Sequence, residues 1–177
     1  MKALAAALVL ALALTALAGP PAGAGPGAGL REGARVAFFG VHFIDTSQEG
    51  ALNGVRADET ARLRASEAQV TEALHAHGFE TVPLAPVQAE LDRVVNPADC
   101  NGCALRMAQR LGADYAMVSE VQKVSNLILS MNIVVLDAAT GAKVRGISAD
   151  IRGNTDESWR RGFSYILRNN IFRKGED

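Results

Sequence analysis

Residues 35–44, RVAFFGVHFI, constrain the fold more than any other stretch of this sequence. The run is nearly continuous in β-branched, aromatic and other apolar residues, which is the pattern of a strand buried on both faces. Such a strand needs neighbouring strands at its sides and packed elements above and below it. The sequence therefore predicts a central strand in a sheet that is covered by helices.

The segments that follow alternate between helical and extended patterns. A polar stretch after residues 35–44 predicts a long surface loop, and Asp58 is the predicted N-cap of a helix that ends at Gly78. A short strand, FETVPL, comes next and is followed by one or two helical turns. A second helix that closes at Gly112 and the strand DYAMVSEVQKV complete this half of the chain.

The last part of the chain predicts a hairpin and a final helix. NLILSMNIVVLD and AKVRGISADIRG bracket the turn sequence DAATG, as the strands of an antiparallel hairpin would. Thr155 is a plausible N-cap for a helix with an apolar stripe formed by Trp159, Phe163, Ile166, Leu167 and Ile171. The predicted fold is a single α/β (α+β) domain, a mixed β-sheet with an antiparallel hairpin and helices packed against it.

The amino-terminal region predicts export. Lys2 precedes an apolar run over residues 3–18, which is too short for a comfortable membrane span and ends in small residues. We expect a signal peptide at 1–24, a Gly/Pro-rich linker at 25–33 and one domain at 34–173. The mature protein would then be periplasmic without membrane insertion. An uncleaved membrane anchor is the alternative.

Charge and motif content exclude several functions. The chain has 18 Lys and Arg against 19 Asp and Glu, and no basic patch stands out, so a nucleic-acid partner is not expected. It has no Ser-His-Asp order, Gly-rich phosphate loop or HExxH signature. We therefore expect no cofactor, no metal and no catalytic residue.

Cys100 and Cys103, the only cysteines, have CxxC spacing directly before a predicted helix. A c-type haem site needs a histidine where this chain has Ala104, and a structural zinc site needs about four ligands. A thioredoxin-like pair follows the first strand, whereas this pair comes later in the domain. We expect a disulfide that holds the turn, with thiol–disulfide exchange as the alternative.

Polar residues near the first strand are candidates for a binding site. Asp45 and Ser47 end that strand, and Asp58 and Arg62 lie across the following loop. Ends of strands often carry ligand-binding groups in α/β proteins. In the alternative interpretation, Asp45 and Ser47 only start a turn by bonding to nearby backbone groups.

Trp159 and Arg160 are candidates for a protein interface, because tryptophan and arginine are enriched among the residues that dominate binding. Trp159 also begins the apolar stripe of the last helix. Packing onto the sheet is therefore the alternative role for its side chain.

Several segments together resemble known exported domains. RVAFFGVHFID, HGFETV, the cysteine segment with ALRMAQRLGADYAMVSEV, and VVLDAATGAKV resemble the amino-terminal domain of TolB and the periplasmic domain of the curli secretion channel. CNGCALRMAQRLGADY with GNTDESWRRGFSYILRNNI is similar to an exported bacterial family known only as a domain of unknown function. The resemblance implies a TolB-like fold. It also implies, as an alternative function, an accessory role beside periplasmic quinoprotein dehydrogenases.

Two functions are consistent with these observations. The first is a non-enzymatic periplasmic module that binds a protein partner through the long loop or an exposed strand edge. The second is a thiol–disulfide oxidoreductase that uses Cys100 and Cys103. The identity of the partner and the oligomeric state do not follow from the sequence.

Overall fold

A computed structural model describes residues 30–173, which form one mixed five-stranded sheet with helices packed on it. The strands are β1 Arg35–Asp45, β2 Glu80–Thr81, β3 Tyr115–Ser125, β4 Ile128–Asp137 and β5 Lys143–Arg152. β1 is parallel to β2 and β3, whereas β3, β4 and β5 are antiparallel. The order across the sheet is β2-β1-β3-β4-β5, so β3 is central, the predicted central strand β1 lies beside it, and β5 lies at one edge.

Helices cover both faces of this sheet. The helices are α1 Gln48–Asn53, α2 Ala57–Ala76, α3 Gln88–Leu91, α4 Cys103–Arg110 and α5 Asp156–Ile166, with a π-helical turn at Leu167–Ile171. Helices α2 and α5 contribute buried side chains to a core on one face, and α4 contributes to a second core on the other. The predicted single domain with a mixed sheet and an antiparallel hairpin is confirmed.

The final helix matches its sequence prediction closely. The Thr155 hydroxyl accepts a hydrogen bond from the N–H of Ser158 at 3.2 Å and so caps α5. All five residues of the predicted apolar stripe are buried. Gly162 allows the helix to approach the sheet, because a Cβ at this position would lie 2.6 Å from Met131 Sδ and 2.7 Å from Ile151 Cγ2. The stripe and this glycine together place α5 directly on β4 and β5.

The segment between β1 and β3 differs from its prediction in three places. The long loop contains the short helix α1. The N-cap of α2 is Arg56, not Asp58, and Asp58 lies in the first turn, where it pairs with Arg56. Strand β2 has only two residues, Glu80 and Thr81, because the chain soon reaches Pro83, which lacks an N–H, and turns away. The predicted helix end at Gly78 is confirmed, with a φ of 78° at that residue.

The predicted signal peptide and residues 25–29 of the predicted linker lie outside the described residues. Within residues 30–173, no helix is both long and apolar enough to cross a bilayer.

Candidate functional site

Asp45 and Ser47 form the junction between β1 and α1. The backbone N–H and the hydroxyl of Ser47 both donate to Asp45 Oδ1, at 2.9 and 2.5 Å. The Ser47 hydroxyl oxygen in turn accepts from the N–H of Gly50 at 3.0 Å and caps α1. The two side chains therefore start a turn, as the alternative sequence interpretation holds.

The other carboxylate oxygen of Asp45 faces a buried lysine that the sequence analysis missed. The parallel pairing of β1 and β3 places Asp45 opposite Lys123. Lys123 Nζ donates to Asp45 Oδ2 at 3.2 Å and to Glu59 Oε1 at 2.7 Å, and both Lys123 and Glu59 are buried. One ammonium group thus lies between two carboxylates below the surface. The signal in the sequence was a lysine on the apolar face of an alternating strand.

Hydrogen bonds control the protonation of this buried group. Burial alone lowers the pKa of Lys123, but the bonds to Glu59 and Asp45 outweigh it and hold that pKa above its ordinary value. Burial also opposes ionisation of Asp45, yet the bonds from Ser47 and Lys123 keep the pKa of this carboxyl below its ordinary value. A lysine that is held protonated between two carboxylates does not act as a base or a nucleophile. The arrangement therefore holds charge and supplies no reactive amine.

Asn154, in the loop between β5 and α5, connects the buried lysine to the surface. Its Nδ2 donates to Glu59 Oε1 at 2.7 Å. Its Oδ1 accepts from Trp159 Nε1 at 2.9 Å and from Arg62 Nη1 at 3.3 Å. We call Asp45, Ser47, Glu59, Lys123 and Asn154 the polar cluster. It joins β1, β3, α2 and the loop before α5.

The structure brings five of the six candidate binding residues into or next to this cluster. Arg62 bonds to Asn154 and also forms ion pairs with Asp58 and Asp156. A hydrogen bond from Arg56, followed by one from Arg62, lowers the pKa of Asp58 to about 2. The sixth residue, Arg160, pairs with Glu157 on the exposed side of α5. The five residues in or next to the polar cluster are Asp45, Ser47, Asp58, Arg62 and the buried Trp159.

A cleft of about 750 Å³ lies beside the polar cluster, between β1, α1 and α2. Its apolar lining includes Val41, Phe43 and Leu63. Asp45 and Glu59 also line it, but both already bond to Lys123. No group of three or more His, Cys, Asp or Glu in the described part of the chain could hold a metal ion. A binding role for this cleft stays a prediction.

Cys100 and Cys103 form a disulfide across the turn that enters α4. Asn101 and Gly102, between them, have φ values of 53° and 78°, so the bond closes a left-handed turn. Cys103 is the first residue of α4, the position at which a helix dipole would activate a thiol, but it is buried in the second core. The disulfide predicted from the sequence is present in the structure.

Strand β5 has a free edge. It pairs with β4 along its length, and no other strand of residues 30–173 lies on its outer side. A groove of about 670 Å³ runs between this edge and the outer side of α5. Ile147 and Ala149 line the strand side of the groove, and Arg161 and Tyr165 line the helix side. The sequence predicted the hairpin but not which of its strands would be the edge.

Comparison with known proteins gives a family and several similar folds. The family model described as "Protein of unknown function (DUF2380)" matches residues 34–171, which confirms the resemblance to a family of unknown function. No curated protein matches the sequence.

Several solved structures are similar to this chain. The LpoB C-terminal domain from Salmonella enterica has 16% identity and a TM-score of 0.49, and the match covers 70% of this chain and 86% of that one. Lipoprotein GNA1162 from Neisseria meningitidis has 18% identity and a TM-score of 0.48, over 70% and 83% of the two chains. TolB from Acinetobacter baumannii has 12% identity and a TM-score of 0.36, over 80% and 29%. These structures lend no support to the resemblance to the curli secretion channel.

Proposed function

We propose that this chain, which belongs to the DUF2380 family of proteins of unknown function, is a non-enzymatic exported module that binds an extended segment of a partner protein along the free edge of β5. The observation that carries the proposal is the strand itself. Nine of its ten residues have a partner in β4, and no other described strand covers the opposite side. Such an edge presents backbone donors and acceptors to which an extended segment can add as a further strand.

The register of the hairpin identifies the backbone groups that are free. Gly153 N–H donates to Leu127 O at 3.1 Å, and hydrogen-bonded pairs recur at every second residue of an antiparallel ladder. Counting along the strands from this pair, the backbone N–H and C=O groups of the odd-numbered residues of β5 bond to β4. Those of the even-numbered residues point away from β4. The free groups are therefore the N–H and C=O of Gly146, Ser148 and Asp150 and the N–H of Arg152, whose C=O accepts from the Ser158 hydroxyl at 2.9 Å.

The edge is held in place before any partner arrives. β5 is bonded to β4 in regular register from Ile128 to Val135, and α5 packs on its inner face through Ile151 and Gly162. β5 contains no proline, which is a common means of blocking an edge strand. A partner strand would bind a rigid template, and this lowers the entropy lost on association.

Two observations support a location outside the cytoplasm. The apolar run over residues 3–18 is typical of a signal peptide, and disulfides persist mainly in oxidising compartments such as the periplasm. A periplasmic quinoprotein dehydrogenase, which the sequence resemblance implies, is the first partner to test.

The disulfide directly before α4 favours a second function, thiol–disulfide exchange. An exchange enzyme needs an accessible sulfur with a stabilised thiolate. Cys103, at the helix N-terminus, is buried, and Cys100 is half-buried. Protein binding is the better supported of the two functions, because the edge of β5 is accessible to a partner whereas Cys103 is buried.

In-cell crosslinking followed by a binding measurement tests the module. A photoreactive residue at Asp150 should capture the partner, which is then purified and titrated against the mature protein and its variants by calorimetry. Ser148→Pro removes one outward N–H and leaves the backbone bonds to β4 intact, while the exposed hydroxyl bond between Ser148 and Ser130 is lost. We expect partner binding to weaken at least about tenfold. Leu127→Ser, at an exposed turn residue away from this edge, is the control and should bind normally.

Equal partner binding by Ser148→Pro and the wild type would overturn the proposal. A crosslink that forms as readily from Asn132, in the interior strand β4, as from Asp150 would also count against it.

A further inference from the structure

Helix α5 runs back along the free edge of β5. Its second turn lies over the end of the strand, where a Cβ at Gly162 would meet Ile151 at 2.7 Å. Beyond the π-helical turn, Arg173 O accepts a hydrogen bond from Arg145 Nη2 at 3.3 Å, near the start of the strand. Helix and strand are thus antiparallel neighbours. Anything that adds to the edge of β5 would also lie beside α5.

The outer side of this helical segment carries Arg161, Tyr165 and Arg168. Arg161 and Tyr165 are spaced i, i+4 within α5 and so lie on one face. Arg168 follows in the π-helical turn, where its Nε donates to Ser164 O at 3.2 Å. Tyr165 is 52% exposed, and both arginines are exposed. Neither arginine forms an ion pair with any residue of the described range.

The charge on this side of the groove is positive. Glu157 also lines the groove, but Arg160 pairs with it at 2.8 Å. Among the other residues that line the groove, Arg161 and Arg152 are positively charged and Asp150 is negatively charged, and none of the three forms an ion pair within the described residues. The balance of charge at the groove is therefore positive, and Arg168 adds a positive charge beyond it. The strand side supplies apolar contact from Ile147 and Ala149. Tyrosine and arginine are the residue types that dominate protein interfaces.

We infer that the occupant of the groove is an extended, acidic segment of a partner protein in which two carboxylates flank an apolar residue at alternate positions. The inference rests on the proposed function and specifies its ligand. Residues on one face of an added strand recur about every 6.8 Å. Along the helix axis, Tyr165 follows Arg161 by about 6 Å, and Arg168, in the π-helical turn, follows Tyr165 by no more than about 4.5 Å.

The spacing of residues along the added strand and the spacing of the helical residues agree within the reach of arginine side chains. The central apolar residue of the segment would lie on Tyr165, Ile147 and Ala149. Its two flanking carboxylates would lie beside Arg161 and Arg168, where a charge-assisted bond to arginine is strong and specific in geometry. The pattern is acid-x-apolar-x-acid, which reads the same in both chain directions.

Matched peptides test this inference. The probes are capped peptides about nine residues long, enough to span β5, with isoleucine at the centre and threonines at the intervening positions. Glutamates flank the isoleucine in the first peptide, lysines in the second and glutamines in the third. Amide hydrogen exchange on the mature protein reports whether Gly146, Ser148 and Asp150 become protected. Titration at low salt gives the relative affinities.

We expect the acidic peptide to protect these amides and to bind at least about tenfold more tightly than the basic one, with the difference shrinking as salt rises. Arg161→Glu should remove the preference for the acidic peptide. Arg64→Glu makes the same charge change on an exposed residue of α2 and should leave the preference unchanged.

The other outcomes distinguish an error in the acidic occupant from an error in the proposed function. Protection of the edge amides by all three peptides with equal affinity overturns the acidic occupant and leaves the proposed function standing. Protection of these amides in the free protein that rises with its own concentration identifies a second copy as the occupant and overturns the inference. If no peptide protects the edge amides, both the acidic occupant and strand addition at β5 are overturned.

Discussion

Replacement of the buried lysine tests the energetics of the polar cluster most directly. Lys123→Met keeps the length and apolar stem of the side chain but removes its ammonium group. The Glu59 carboxylate would then remain buried and would keep the hydrogen bond from Asn154 Nδ2 at 2.7 Å. Asp45 would lose the donor to its second oxygen. The variant therefore leaves buried negative charge without its counter-charge.

The expected cost follows from this geometry. Removal of one partner from a buried ion pair costs about 3–5 kcal/mol, because the remaining charge stays desolvated. For a domain of this size, that corresponds to a fall in Tm of roughly 10–15 °C. The exposed pair Glu157–Arg160 gives the scale for an ordinary surface interaction. Its removal by Arg160→Ala should change the free energy of unfolding by less than about 1 kcal/mol.

Urea unfolding of the mature protein with linear extrapolation measures both variants. The double variant Lys123→Met with Glu59→Gln adds a second test, since the glutamine is uncharged. We expect the double variant to be more stable than Lys123→Met alone. A loss below about 1 kcal/mol for Lys123→Met, or a double variant less stable than the single one, would refute this account of the cluster.

Three further results are expected. Because the pKa of Asp45 is lower in the folded than in the unfolded chain, its contribution to stability is present above about pH 4 and is lost as the pH falls through the folded pKa; acid titration of unfolding should therefore show a smaller loss for Asp45→Asn than for wild type. Gly162→Ala should lower stability by about 1–3 kcal/mol in thermal unfolding, since the new Cβ would collide with Met131, and a more stable variant would contradict the close packing of α5. Replacement of both Cys100 and Cys103 by serine should cost at most about 2 kcal/mol, and the disulfide should have a reduction potential below about −300 mV by equilibration with thiol buffers; a value between about −270 and −120 mV would favour thiol exchange.

Local pattern in the sequence was sufficient for most of the elements. The hairpin of β4 and β5 follows from alternation around DAATG, and α5 follows from its cap at Thr155 and its apolar stripe. The prediction was least accurate where local signals compete. Asp58 has the chemistry of an N-cap, but its carboxylate bonds to the side chains of Arg56 and Arg62, so α2 begins one residue earlier than Asp58.

The candidate residues show the same division. Asp45 and Ser47 were found because polar side chains at the end of a strand are visible in sequence, and Arg62 was found because it lies across the following loop. Lys123 was not found, because a lysine in a strand is normally exposed, and its place on the apolar face of β3 was the one signal that it is buried. Its two carboxylate partners come from β1 and α2, far away along the chain.

The sequence alone determined the periodicity of each segment, and with it which side of a strand or helix would be apolar. The tertiary structure decided the order of the strands, and therefore that β5 is the edge and that α5 lies beside it. The physical reason is that the spacing of apolar residues is a property of one segment, whereas the strand order depends on pairing between segments that are distant in sequence. The outward backbone groups of β5 and the burial of Lys123 both arise only when those segments pack together.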